Sequence, residues 1–217
     1  NLREETAMAR PRGNYAVTAA RRESILNAAL EIFGKSGYNG SSVKQVALAV
    51  GMTEAGVLHH FGTKSNLLIE VLRVRDDAST QFIPPDASSP LMFVSGWLNL
   101  MAFNVSQPGI VDLFTKLAAE STDVDHPAHA YFKDRYVFVS KFCEEYFDRL
   151  SASGYMTSGA DSRTLAIALI ALADGLQLQW LHDRTVDICA ELSSFFKSVL
   201  SQAAWLEVEF DDSYVSA

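Results

Sequence analysis

From Thr18 onward, apolar side chains return at steps of three and four residues, the spacing of one face of an α-helix. Ile25, Ala28, Ala29, Ile32 and Phe33 make the first stripe, and Gly34-Lys35-Ser36-Gly37 ends it, so the pattern predicts a helix over 18–35. Ser42 stands three residues before Gln45 in a capping-box arrangement, and Val43, Val46, Ala47 and Val50 predict a short second helix stopped by Gly51. Thr53 caps a third helix carrying Val57, Leu58 and Phe61, and beyond Gly62-Thr63-Lys64 a fourth runs through Leu67, Leu68, Val71 and Leu72. The Pro- and Ser-rich stretch 79–90 breaks helicity. Helical patterns then cover about 91–105, 109–121, 127–152, 162–183 and 187–207, and no stretch alternates as a strand. The expected architecture is all-α: a tail over 1–17, a three-helix helix-turn-helix domain with a connecting fourth helix over 18–79, and a larger helical domain over 80–217.

Composition narrows the function classes. With 217 residues, 48% of them hydrophobic, the chain has enough apolar surface for a packed core, which excludes collagen-like and disordered readings. The net charge of -8 hides a split: the first 76 residues hold ten Lys+Arg and seven Asp+Glu, the remainder eight and nineteen. An anionic partner would therefore meet the N-terminal part, although clustered solvated charges produce the same split. Two distant cysteines, Cys143 and Cys189, read as small apolar core residues of a protein in a reducing compartment. The first residues show no apolar run of signal-peptide length, and the apolar stretch from Leu165 to Ala173 stops at Asp174-Gly175. A cytoplasmic protein without a membrane segment is expected.

The stretch from Val43 to Gly62 has the spacing of a helix-turn-helix. Two helices crossing through a tight turn need a small residue at the crossing, a residue tolerant of positive φ in the turn, and a branched apolar residue packing back from the second helix. Ala47, Gly51 and Val57 fill these roles, with Val46, Val50 and Met52 behind them. Thr53, Glu54, Ala55, Gly56, Leu58, His59 and His60 are left to project, and the major groove of double-stranded DNA admits such a helix. Ser42, Lys44 and Lys64 complete the candidate DNA-binding set. A helical hairpin with no DNA role shares the apolar spacing, and His59 and His60 also suit packing against Phe61 or capping.

Gly37-Tyr38, the helix and turn from Val43 to Gly51, and the run from Gly56 through His59-His60-Phe61-Gly62-Thr63-Lys64 to Leu68 resemble the N-terminal domain of the TetR family of transcriptional regulators. The resemblance covers about residues 18–72. More weakly, Asp174-Gly175-Leu176-Gln177-Leu178-Gln179-Trp180-Leu181 is similar to the penultimate helix of many members. The resemblance implies a homodimeric regulator, most often a repressor, with the N-terminal domain on operator DNA and a C-terminal domain forming a ligand cavity and the dimer interface. It places His59 and His60 toward groove and backbone, and Lys64 on phosphate. Leu58 and His59 stand where the family frequently has a Tyr pair. Arg10-Pro11-Arg12 and Arg21-Arg22 suit minor-groove or phosphate contact and equally a solvated segment.

Met and aromatic side chains crowd the second half. At helical spacing they are core first, but with the resemblance they also line a pocket for a small, mainly apolar effector: Trp97, Met101, Phe114, Phe132 and Trp180, oriented by Asn104, Tyr136 and Gln177. Apolar faces over 164–181 (Leu165, Leu169, Leu172, Leu176) and 188–206 (Leu192, Phe195, Phe196, Val199) predict a four-helix homodimer interface. No catalytic constellation, cofactor or metal is expected. Gly34-Lys35-Ser36 lacks the upstream glycine of a phosphate loop, and Pro127 as a first helical residue makes Asp125 or His126 a cap rather than a metal ligand with Asp123 and His129. The rival reading is a helical ligand-binding or interaction module that has lost DNA binding.

Overall fold

The computed structural model describes residues 12–83, 88–157 and 159–209, with side chains from residue 17. The elements are α1 (Arg12–Ser36), α2 (Val43–Ala49), α3 (Glu54–Phe61), α4 (Lys64–Ser79), α5 (Leu91–Val105), α6 (Pro108–Glu120), α7 (His129–Ala152), α8 (Ser162–His182), α9 (Ile188–Val199) and α10 (Gln202–Leu206). The chain is all-α, as its periodicity indicates.

Three boundaries differ from the expected ones. α1 begins at Arg12, so residues 12–17 are helix rather than tail, while 1–11 lie outside the described residues. This first turn and a half has no apolar stripe to announce it, and Val17 is exposed. Pro127 does not start α7: His126 Nδ1 accepts from the Ala128 N–H at 3.2 Å and closes a turn, leaving Ala128 as an N-cap without a side-chain bond. The last pattern divides at Leu200, whose extended backbone (ψ 151°) lies against Met156 in an isolated antiparallel bridge, and Ser201 caps α10 through the Ala204 N–H.

Two cores form, and they do not divide at the 79–90 break. One joins Ile25, Phe33, Val46, Val57, Leu67 and Leu72 of α1–α4 to Leu113, Phe114 and Leu117 of α6 and Phe132 of α7. The other gathers α5, the later part of α7, α8 and α9 around Phe93, Phe147, Leu169 and Phe196. Where α1 crosses the start of α6, a Cβ on Gly34 would lie 3.1 Å from the Gly109 carbonyl oxygen, so these backbones approach as closely as they do because residue 34 has no side chain.

Burial corrects the expected dimer face. Leu165, Leu169, Leu176, Leu192, Phe196 and Val199 are buried inside their own chain, and Leu172 and Phe195 are half-buried against the same core. Helical periodicity located the inward faces of α8 and α9, which the single chain already covers. What α8 turns outward is Ile167 (52% exposed) and Leu178 (47%), with exposed Ala168 and Ala171 between them. Apolar residues on both faces make α8, at 21 residues and mean hydropathy 1.5, the one helix among the described residues long and apolar enough to cross a membrane. Its inward face nevertheless carries Gln177 hydrogen-bonded to Asn104 across the core.

A polar tie joins the two parts of the chain. Tyr131 of α7 donates to the Asp76 carboxylate and to the Leu72 carbonyl of α4 (3.2 Å), and Arg135 Nε donates to Asp76 Oδ1 at 3.1 Å. Arg75 lies 3.4 Å from Asp76, and its guanidinium stacks 4.0 Å over the Phe114 ring, with that of Arg135 4.7 Å from the same ring. Burial, then the Asp76 charge, pushes the Tyr131 hydroxyl well above its ordinary range. Burial works against the Arg135 charge, yet Asp76 and Tyr131 hold its pKa above the usual value. One residue on, Tyr136 donates to Asp174 of α8 at 2.8 Å.

Three stability outcomes are expected. Phe196→Ala should lower the unfolding free energy by about 3–5 kcal/mol in denaturant titrations, the cost of emptying a closed core site. Tyr131→Phe should cost about 1.5–3 kcal/mol, because a hydrogen bond to a charged group is lost. Asp76→Ala should cost more than Tyr131→Phe in the same titration, because it leaves Arg135 buried without its partner.

Candidate nucleic-acid interface

The local sequence fixes α2 and α3 at both ends. Ser42 Oγ accepts from the Gln45 N–H at 3.3 Å while Gln45 Oε1 accepts from the Ser42 N–H at 2.7 Å, the complete capping box. After α2 the chain turns through Gly51 at φ 65°, and the Met52 N–H reaches back to the Ala47 carbonyl at 2.8 Å. Thr53 Oγ1 then accepts from the Gly56 N–H at 3.1 Å and starts α3, which ends at Gly62 with φ 77°. Ala47, Val57 and Phe61 are buried at the crossing, so the outward residues follow from what is inward.

Ser42, Lys44, Thr53, Glu54, Ala55 and His59 are exposed on this unit, and Gly56, Leu58, His60 and Lys64 are half-buried. Leu48 on α2, which the sequence reading did not single out, is 70% exposed. It lies off the stripe of Val43, Val46, Ala47 and Val50, and that omission is the signal that marks it as outward. Thr53 Oγ1 accepts the capping bond and keeps its own proton for an acceptor outside the chain, whereas Ser42 Oγ donates to Gln45 Oε1.

Two cations are engaged inside the protein. The Lys64 ammonium donates to the Tyr38 carbonyl and to the Ser41 carbonyl (2.7 Å) and lies 4.2 Å from the centre of the Tyr38 ring. Burial lowers its pKa. Tyr38 Oη lies 2.9 Å from Ser65 Oγ, making Tyr38 the platform that joins the α1–α2 turn to α4. Arg22 donates to the His60 carbonyl at 3.2 Å and to Glu70, with its guanidinium 4.4 Å over Phe61. Arg22 therefore ties the end of α3 to α1 and α4. Neither role has a sequence signal beyond proximity to the motif, because a basic side chain that caps a carbonyl looks like one that meets a phosphate.

The eight candidate effector residues are not brought to one place. Trp97, Met101, Asn104, Gln177 and Trp180 share the second core. Phe114 and Phe132 instead belong to the first core, their rings 4.9 Å apart under the Arg75 and Arg135 guanidiniums, and are corrected to packing residues. Tyr136 borders both cores. Asn104 Nδ2 reaches Gln177 Oε1 at 3.4 Å, Gln177 Nε2 donates to the Ala173 carbonyl at 3.1 Å, and the enclosed Trp97 indole N–H meets the Cys143 thiol rather than an oxygen or nitrogen acceptor. Burial pushes the Cys143 thiol up to about 12 and that of Cys189 to about 11, which suits core packing rather than nucleophilic chemistry. Among the described residues, no three His, Cys, Asp or Glu side chains are grouped to hold a metal ion; His129 Nδ1 lies 2.8 Å from the Ser121 carbonyl instead.

Comparison with known proteins agrees with this geometry. Residues 25–71 match the family model of bacterial regulatory proteins, tetR family. The HTH-type transcriptional repressor AcnR of Corynebacterium glutamicum is 36% identical over 58 residues, 27% of this chain and 30% of AcnR. The HTH-type transcriptional regulator RutR of Escherichia coli is 36% identical over 55 residues, 25% of this chain and 26% of RutR. The chain thus spans less than a third of the length of these curated relatives. Over the whole fold it is similar to NalD, the secondary repressor of the MexAB-OprM multidrug efflux pump in Pseudomonas aeruginosa, with a TM-score of 0.63 and 25% identity over 86% of this chain and 98% of NalD. Residues 25–71 thus form an N-terminal domain of the kind found in bacterial regulatory proteins of the tetR family.

Proposed function

We propose that the protein is a transcriptional repressor that binds double-stranded operator DNA as a homodimer and releases it on binding a small, mainly apolar effector. The observation that carries the reading is the α2–turn–α3 unit, capped at both helix starts and turning Lys44, Thr53, Glu54, Ala55 and His59 outward. In this reading α3 enters the major groove, its first turn meets base edges, and Lys44 meets phosphate. It acts by binding rather than catalysis, in the cytoplasm. Lys64 and Arg22 contribute by holding α2 and α3 in place, and the third proton of Lys64 remains for a phosphate.

Support for the homodimer is the outward apolar face of α8, with Ile167 and Leu178 exposed on a helix whose other face is already buried. A two-fold pair of α8 helices, with α9 beside them, covers this face and presents two α3 helices to half-sites roughly 34–36 Å apart. Support for the effector is the polar set Trp97, Asn104 and Gln177 inside an otherwise apolar core between α5 and α8. NalD and AcnR are named as repressors, which favours release of a repressed promoter as the outcome.

Enrichment of duplexes from a random library, followed by mobility shift, tests the reading directly; failure to enrich any sequence over random duplex would sink it. Lys44→Ala should weaken all duplexes alike and reduce the salt slope by about one, whereas Thr53 or Ala55 substitutions should change the preferred sequence by about 1–3 kcal/mol per contact. Leu178→Glu should convert the dimer to a folded monomer in light scattering, with unchanged circular dichroism. A persistent dimer would remove α8 from the interface.

A further inference from the structure

Val137 and Phe138 are neighbours on α7 and are 66% and 69% exposed, the one place among the described residues where two successive large apolar side chains both stand in solvent. Single apolar residues scattered over a surface are ordinary, whereas a joined pair marks a place that something covers. Phe138 is held from behind. Its ring stacks on that of Phe142, with centroids 6.2 Å apart and planes 18° apart, and Phe142 lies 4.9 Å from the Tyr146 ring and packs against the second core. A line of aromatic rings thus runs from the core to the surface, so a partner covering Phe138 has little side-chain freedom to freeze.

The charges around the pair select the partner. Asp134 and Lys141 are both exposed on α7, and, seven residues apart on a helix, they point within about 20° of each other. Their midpoint is also the midpoint of Val137 and Phe138, so this ridge reads acid, two apolar residues, base. A two-fold axis through that midpoint, perpendicular to α7, lays a second α7 antiparallel on the first. Asp134 then faces Lys141 of the partner subunit, Lys141 faces the partner's Asp134, and the two apolar pairs cover one another. No like charges meet in this register: Glu145 falls opposite the partner's Ala130, and Lys133 opposite the partner's Phe142. A parallel pairing would set Asp134 against its own copy. Inside the chain, Lys141 lies 3.9 Å from Glu145 with both side chains well exposed, a contact too weak to withhold Lys141 from a new partner.

We propose that the outward face of α7 centred on Val137 and Phe138 is a self-association surface of its own, on which a second copy of this chain packs antiparallel about a two-fold axis. The contact is separate from the pairing of α8 helices described above, because its axis passes through the middle of α7. Two crossing helix ridges bury far less than the roughly 1,200–2,000 Å² of a stable interface, so the association is weak and depends on concentration. The two symmetric ion pairs fix register and direction more than strength. One consequence rests on the repressor reading: two dimers on neighbouring operators of one duplex are held at a high local concentration, where a weak contact is filled, and the sites fill cooperatively.

The test uses the full chain without DNA. Sedimentation equilibrium from about 1 to about 200 µM should show the dilute species doubling in mass as concentration rises. The mass of that dilute species reports on the α8 pairing, so a dilute monomer removes the homodimer reading and the doubling still judges α7. Phe138→Asp should keep the dilute mass throughout, with unchanged circular dichroism because the side chain replaced is an exposed one. Asp134→Lys and Lys141→Asp should each weaken the doubling about tenfold, by placing like charges opposite one another, and the two together should restore it. That rescue is what an unspecific apolar patch does not give. Absence of doubling up to about 200 µM overturns the inference and leaves the patch to a partner of another sequence. Doubling that survives Phe138→Asp overturns it, as does equal doubling in the wild type and in both single charge variants.

Discussion

Asp76 accepts hydrogen bonds from Tyr131 and Arg135 of α7, while Arg75 beside it stacks on Phe114 of α6. Through these groups α4 is fastened to the larger domain, and through Lys64 and Arg22 the same helix fastens α2 and α3. The orientation of the outward face of α3 therefore depends on where α4 sits, and α4 sits where one carboxylate can satisfy three neighbours. A charge network in a mostly apolar setting tolerates few arrangements, because each partner released is left desolvated without compensation. Tyr136 and Asp174 continue the contact from α7 to α8, so the polar line reaches the helix that carries Gln177. A molecule that rearranged the Trp97–Asn104–Gln177 set would act on a neighbour of the helix that grips α4.

Local signals made the N-terminal unit legible. The capping box at Ser42 and Gln45, the positive φ of Gly51 and the cap at Thr53 are each encoded within three or four residues, and each is realised. Such features need no knowledge of the rest of the fold. The beginning of α1 was hidden for the opposite reason: its first residues have no apolar stripe to read.

Partners were not legible. An apolar stripe states that a face will be covered and is silent about what covers it, which is why Leu169, Leu192 and Phe196 suited a dimer interface and proved to be core. Phe114 and Phe132 suited a pocket on composition, yet α6 folds back on α1 and draws both into the other core. Charge had the same ambiguity. Arg22 and Lys64 carry the sign that DNA attracts, but carbonyl oxygens at the end of α3 and in the α1–α2 turn attract it too.

The crossing of α1 and α6 at Gly34 and Gly109 is a contact of main chain on main chain. Side chains between helices act as springs, since a rotamer change takes up a fraction of an ångström; here that compliance is missing. At this point of the seam neither helix can yield by a rotamer change, so a side chain added at residue 34 would have to part the two helices by a few tenths of an ångström.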